Sequence, residues 1–149
     1  SGTNVSWSDV NCSGWRLPTE AEWEYLARGG GEHKYSGSNS IGDVAWYWDN
    51  SGSKTHPVGQ KQANGFGLYD MSGNVEEWCW DWYGDYSSGS VTDPRGPSSG
   101  KSRIYRGGAF ISSAGKAGES LGGTVSIRRL GRPSDRNSYL GFRLLRTKN

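Results

Sequence analysis

The stretch Trp15-Arg16-Leu17-Pro18-Thr19-Glu20-Ala21-Glu22-Trp23-Glu24-Tyr25-Leu26-Ala27-Arg28 carries the strongest helix signal in a chain of 149 residues. Thr19 is a favourable N-cap, and Glu22, three residues on, completes a capping box. Glu20, Glu22 and Glu24 crowd the positive end of the helix dipole, and Arg28 stands near its negative end. Trp23, Leu26 and Ala27 recur at the spacing of one helical face. Gly29-Gly30-Gly31 supplies the stop. A helix is therefore expected over about residues 19–28.

Outward from this helix the chain reads as short strands and loops. Val75 to Tyr83 partly alternates, with Trp78, Trp80 and Trp82 on one side and Cys79 and Asp81 on the other. Arg103–Arg106 reads as a strand that ends at Gly107-Gly108. Thr55–Val58 and Thr124–Ile127 read as further short strands, and Leu140–Arg146 as the last. Residues 29–65 are loop-rich around the aromatic cluster Trp46, Tyr47 and Trp48. Residues 84–100 form a Gly/Ser/Pro loop.

Composition agrees with this sparse pattern. Leu, Ile, Val and Phe number only 22, while eight Trp and eight Tyr offer large rings. Each such ring buries roughly 150–250 Å², so the core is expected to be aromatic. The 24 glycines favour turns over long helices. Residues 1–100 hold 6 Lys/Arg against 13 Asp/Glu, a net of −7; residues 101–149 hold 11 against 2, a net of +9. The basic residues stand singly and form no polyanion-binding run, so the halves are expected to neutralise each other and no nucleic-acid partner is expected. The two cysteines, Cys12 and Cys79, match neither a disulfide framework nor a metal spacing. No apolar run approaches membrane-spanning length.

Three stretches together resemble one family. They are Trp15 to Tyr25, the run Asn-Gly-Phe-Gly-Leu-Tyr-Asp-Met-Ser-Gly-Asn-Val-Glu-Glu-Trp at 64–78, and Tyr-Arg-Gly-Gly at 105–108 closed by Leu-Gly-Phe-Arg at 140–143. Their order and spacing resemble the formylglycine-generating-enzyme (sulfatase-modifying factor) superfamily. That resemblance implies an α+β, C-type-lectin-like fold with little regular secondary structure. In relatives a strand and a helix precede the first motif. Residues 1–149 are therefore expected to be the C-terminal part of a single domain.

The family's enzymes oxidise a sulfatase cysteine, using two cysteines shortly after the Gly-Gly. Counted from Gly107-Gly108, these positions fall near Ser112 and Ala117. A hydroxyl is a poor ligand for a soft Cu(I) ion and alanine is none, and residues 80–149 contain no cysteine. Cys79 is expected to be a small buried hydrophobe, and His33 and His56 to be loop residues. No catalytic residues are assigned, and the chain is expected not to be an enzyme. The oxidase remains the alternative, beside a partner-docking domain of fixed specificity.

A second branch of the resemblance, the variable proteins of diversity-generating retroelements, implies a ligand-binding function. There, adenine-directed mutagenesis of AAC codons yields residues encoded by NNC, a set lacking Lys, Glu, Gln, Trp and Met. These five types make up 24 of the 149 residues, yet residues 120–143 hold none. By this resemblance residues 107–143 form a variable region. Its binding positions would be Ile127, Arg129, Leu130, Gly131, Arg132, Ser134, Asp135, Asn137, Ser138 and Tyr139. Phe110, Ile111, Ser112 and Ser113 would form a second edge. Lys116 and Glu119 lie outside the permitted set. Arg106, Gly107, Gly108, Arg128, Pro133, Arg136 and Gly141 to Arg143 would be fixed scaffold. The partner would be a protein or surface ligand, and the location a cell surface or the extracellular space.

No cofactor is expected to be required. Family enzymes carry structural calcium, which by position would fall on Asn74, backbone carbonyls near Val75, and Glu77; oxygen ligands suit that hard cation. The competing reading is that Asn74 and Glu77 hold a turn by hydrogen bonds.

Overall fold

The computed structural model describes residues 13–114 and 122–146. Cys12, Lys116, Ala117 and Glu119 lie outside them. The elements are β1 (Trp15–Arg16), α1 (Glu20–Arg28), α2 (Ile41–Val44), β2 (Glu76–Trp82), β3 (Arg103–Arg106), β4 (Arg128–Gly131), β5 (Leu140–Gly141) and β6 (Leu145–Arg146). This is an α+β arrangement in which most of the chain runs between elements.

Helix α1 forms as its sequence dictates. Thr19 and Glu22 make the reciprocal capping box, and Gly29 closes the helix in the left-handed region at φ 57°. A Cβ at Gly29 would stand 2.7 Å from Cγ of Asn64, so glycine serves both the backbone turn and the close approach. Asn64 uses that space. Its amide donates to the carbonyls of Leu26 and Ala27 at the helix end, and its oxygen accepts from the N–H groups of Phe66 and Leu68. One side chain thus joins the helix C-terminus to the second motif.

Four strands form the larger sheet in the order β4-β3-β2-β5. β3 is antiparallel to both neighbours, whereas β5 runs parallel to β2. β1 and β6 pair separately. In β2, Glu77, Cys79 and Asp81 are buried towards α1, and Trp78, Trp80 and Trp82 are half-buried on the opposite face. The main core joins Trp23, Ala27, Met71, Cys79, Ile104 and Val125 across α1 and the sheet. Cys79 is fully enclosed there as a free thiol, and burial pushes its pKa well above the ordinary value.

Three expectations need correction. Thr55–Val58 forms no strand: the Asn74 side chain takes both the N–H and the carbonyl of His56, doing the work of a strand partner. Thr124–Ile127 is a turn, and β4 begins only at Arg128; the carbonyls of Val125, Ser126 and Ile127 are claimed by the Arg106 guanidinium. The final stretch divides into β5 and β6, with Arg143 between them turned onto Glu77. Sequence also gave no sign of α2, a four-residue helix.

Candidate functional site

The candidate strip starts from a buried arginine. Arg106 has no exposed side-chain surface and pairs with Glu20 at 3.4 Å and with Glu24. Its Nη1 and Nη2 also donate to the carbonyls of residues 125–127, while its Nε makes no hydrogen bond among the described residues. A buried charge needs both partners and hydrogen bonds, and here the main chain of the strip supplies part of them. Arg128 adds a second tie. It pairs with Glu20 at 2.6 Å, donates to the Gly84 carbonyl, and lies over the rings of Tyr83 and Tyr86.

The rest of the strip is held mainly through backbone. Arg128–Gly131 pairs residue by residue with Arg103–Arg106. The Asp135 carboxylate accepts from the Arg132 N–H, closing a tight turn. The Glu76 N–H donates to the Tyr139 carbonyl. Arg132, Ser134, Asp135, Asn137 and Ser138 are exposed; Ile127 and Tyr139 are half-buried. Leu130 is 45% exposed although its cross-strand partner Ile104 lies in the core, because β4 is an edge strand.

Arg129 faces the opposite side, in a row with Tyr105 and Trp78 across three strands. Those two rings meet edge to face at 5.3 Å. The Glu76 carboxyl lies in the same place, with its Oε1 3.4 Å from Nε of Arg129. Burial pushes Glu76 up to about 7, and Arg129 opposes that rise.

Two predicted positions, Phe110 and Gly131, are buried, and a third, Ser112, is half-buried and engaged in loop hydrogen bonds. Phe110 is buried, with its N–H on the Asn74 carbonyl and its carbonyl accepting from Ser51. The variable-protein resemblance puts it on a second edge of the site, but its side chain turns inward while Asn74 and Ser51 hold its main chain. Ser112 is a loop brace: its hydroxyl accepts from the Ala109 N–H and its carbonyl from the Trp48 N–H. Gly131 is buried, and a Cβ there would stand 3.0 Å from both Tyr105 and Asp135. Ile111 and Ser113 are exposed.

The residues suggested as calcium ligands are engaged by other groups. The two Glu77 oxygens receive Arg143 at 2.5 and 2.7 Å, and one also receives the Trp23 indole N–H at 2.8 Å. The carboxylate is thus already neutralised by an organic cation. Asn74 stands at φ 63°, with its amide engaged by His56 and its backbone by Trp46 and Phe110. Val75 sits between the two. Among the described residues no group of His, Cys, Asp and Glu is placed to hold a metal. His56 is itself structural, stacked on Trp46 at 3.7 Å.

A separate cleft of about 910 Å³ opens between α1 and the 84–97 loop. Glu20, Tyr25, Tyr86, Val91 and Arg128 help to line it, but none of the candidate binding positions does. No helix among the described residues is long and apolar enough to cross a membrane.

This architecture, one capped helix against a small mixed sheet with long ordered loops, is the C-type-lectin-like fold of the formylglycine-generating type. The chain belongs to the sulfatase-modifying factor enzyme 1-like domain family, whose model matches residues 2–148. Its structure is similar to that of Treponema denticola variable protein 1, with a TM-score of 0.84 and 48% identity over 91% of this chain and 49% of that one. It is 39% identical to the chaperone protein LppX of Paenibacillus barcinonensis, over 97% of this chain and 55% of the relative. It is 34% identical to the formylglycine-generating enzyme of Streptomyces coelicolor, over 94% of this chain and 50% of the relative. The chain thus spans about half the length of these relatives.

Proposed function

We propose that this chain is a non-catalytic, receptor-like ligand-binding domain whose strip from Ile127 to Tyr139 carries a diversified site, as in retroelement variable proteins. The observation that carries this reading is the division of labour along the strip. Residues read as fixed, Arg106 and Arg128, hold it through backbone carbonyls and buried glutamates. Several residues read as variable point outward, so changing them leaves those ties intact. The accessible set is Ile111, Ser113, Ile127, Arg129, Leu130, Arg132, Ser134, Asp135, Asn137, Ser138 and Tyr139. Tyr and apolar side chains at such a surface supply contact area at low entropic cost. Similarity to a variable protein at 48% identity supports the reading.

The partner would be a protein or another surface ligand, and display on a cell or phage surface goes with it. The test is a displayed library randomised at Ile127, Arg129, Leu130, Arg132, Ser134, Asn137 and Tyr139. Most members should fold, and selection against an unrelated protein target should yield binders changed at these positions. A library that largely fails to fold would overturn the proposal.

Oxidase chemistry is the second reading, favoured by the enzyme relatives at 34% identity. Ser112 and Ala117 stand where that reading needs thiolates. Conversion of a cysteine-containing sulfatase peptide by the copper-loaded full-length protein would establish it.

A further inference from the structure

We infer that the Glu76 carboxyl, beneath position 129, is a built-in receptor for a guanidinium group, filled by Arg129 in this chain and open to an arginine of the ligand when residue 129 is small. This inference rests on the proposed diversification of position 129.

Three observations place the site. First, Glu76 and Trp78 stand two apart on β2, so their side chains share a face, and Tyr105 and Arg129 continue the row from Trp78 across β3 and β4. A cation paired with Glu76 therefore shares this face of the sheet with two aromatic side chains as well as the carboxylate, surroundings that suit a guanidinium group. Second, the Glu76 side chain is only 7% exposed, whereas that of Arg129 is 41% exposed. Arg129 is the more open member of the pair, so shortening it is expected to widen access to the carboxyl. Third, the present pairing is loose. Nε of Arg129 is enclosed and makes no hydrogen bond among the described residues; it stays 3.4 Å from the Glu76 oxygen. The scaffold arginines differ, since Arg128 and Arg143 approach their glutamates to 2.6 and 2.5 Å. Codons of the NNC type offer Arg and His but not Lys, so at mildly alkaline pH, where histidine is neutral, a site that varies at 129 either keeps this arginine or leaves Glu76 without its cation.

The test uses Arg129→Ser and methylguanidinium chloride, with sodium chloride as the ionic control, in mildly alkaline buffer. Methylguanidinium should raise the melting temperature of the variant with a saturable dependence, by roughly 3 °C at tenfold excess over its dissociation constant. The unsubstituted protein should show no such rise, because Arg129 occupies the place. The double variant Glu76→Gln with Arg129→Ser should show none either. Equal responses in all three proteins, or none in Arg129→Ser, would overturn the inference. Should Arg129→Ser and Arg129→Ala both fail to fold, the carboxyl cannot lose its resident cation and the inference fails again. Neither failure touches variation at the other positions of the strip.

Discussion

Arg106 is fully enclosed, whereas Arg129, on the neighbouring strand, keeps 41% of its side chain exposed. Composition counts them alike, but their surroundings give them opposite duties. Arg106→Met should destabilise the domain by about 3–5 kcal/mol, because it leaves Glu20 and Glu24 short of a cation and strips donors from three carbonyls. Arg129→Ser should cost less, about 1–2 kcal/mol, because the contact it breaks is long, at 3.4 Å, and the Glu76 carboxyl, pushed up to about 7 by burial, can take a proton in its place. Urea denaturation of both variants checks the contrast; equal costs would remove the distinction between scaffold and display. Sequence marked Arg106 as fixed through the Tyr-Arg-Gly-Gly motif, but only its ion pairs explain why. Phe110 failed in the opposite direction. The resemblance puts it on a contact edge, whereas it is buried with its main chain held by Asn74 and Ser51, far away in the chain.

At the scale of elements, α1 was legible because its determinants are local: cap, periodic face and glycine stop lie within fifteen residues. Gly29→Ala should cost about 1–2 kcal/mol from the left-handed backbone alone, and more from displacing Asn64. Thermal melting checks this, and an unchanged midpoint would contradict the assigned role. The Thr55–Val58 and Thr124–Ile127 segments were misread because side chains, not strands, satisfy their backbone groups. The N-terminus of α1 also carries a pH signal. Asp81 accepts from the Glu20 N–H at 2.8 Å, yet burial pushes it up to about 6 from an unfolded value of 3.8. The folded state therefore holds the proton more tightly. Through this group, stability is greatest below about pH 4 and falls as pH rises towards about 6. Asp81→Asn should flatten that part of the profile, as read by denaturation midpoints across the window. Glu76 contributes in the same direction between 4.5 and about 7 and should remain visible in the variant.

For the whole molecule, the uneven charge of the sequence resolves into ion pairs between its two halves. Arg106 and Arg128 reach Glu20, Arg129 reaches Glu76, and Arg143 reaches Glu77. Four of the eleven Lys/Arg of residues 101–149 are thus paired with carboxylates of residues 1–100. The same pairing occupies Glu77, so calcium and a chelator should leave the melting temperature unchanged; a rise of several degrees with calcium would contradict this account of Glu77. The parallel pairing of β5 with β2, which sets Tyr139 beside Glu76, joins segments about sixty residues apart and had no local signature.

The most direct measurement is deep sequencing of the coding segment for residues 100–146 from many copies or from a grown population. Substitutions should concentrate at Ile127, Arg129, Leu130, Arg132, Ser134, Asn137, Ser138 and Tyr139, drawn from NNC codons, while Arg106, Arg128 and Arg143 stay constant. Changes spread evenly over the segment, or falling equally on those three arginines, would contradict a diversified binding strip.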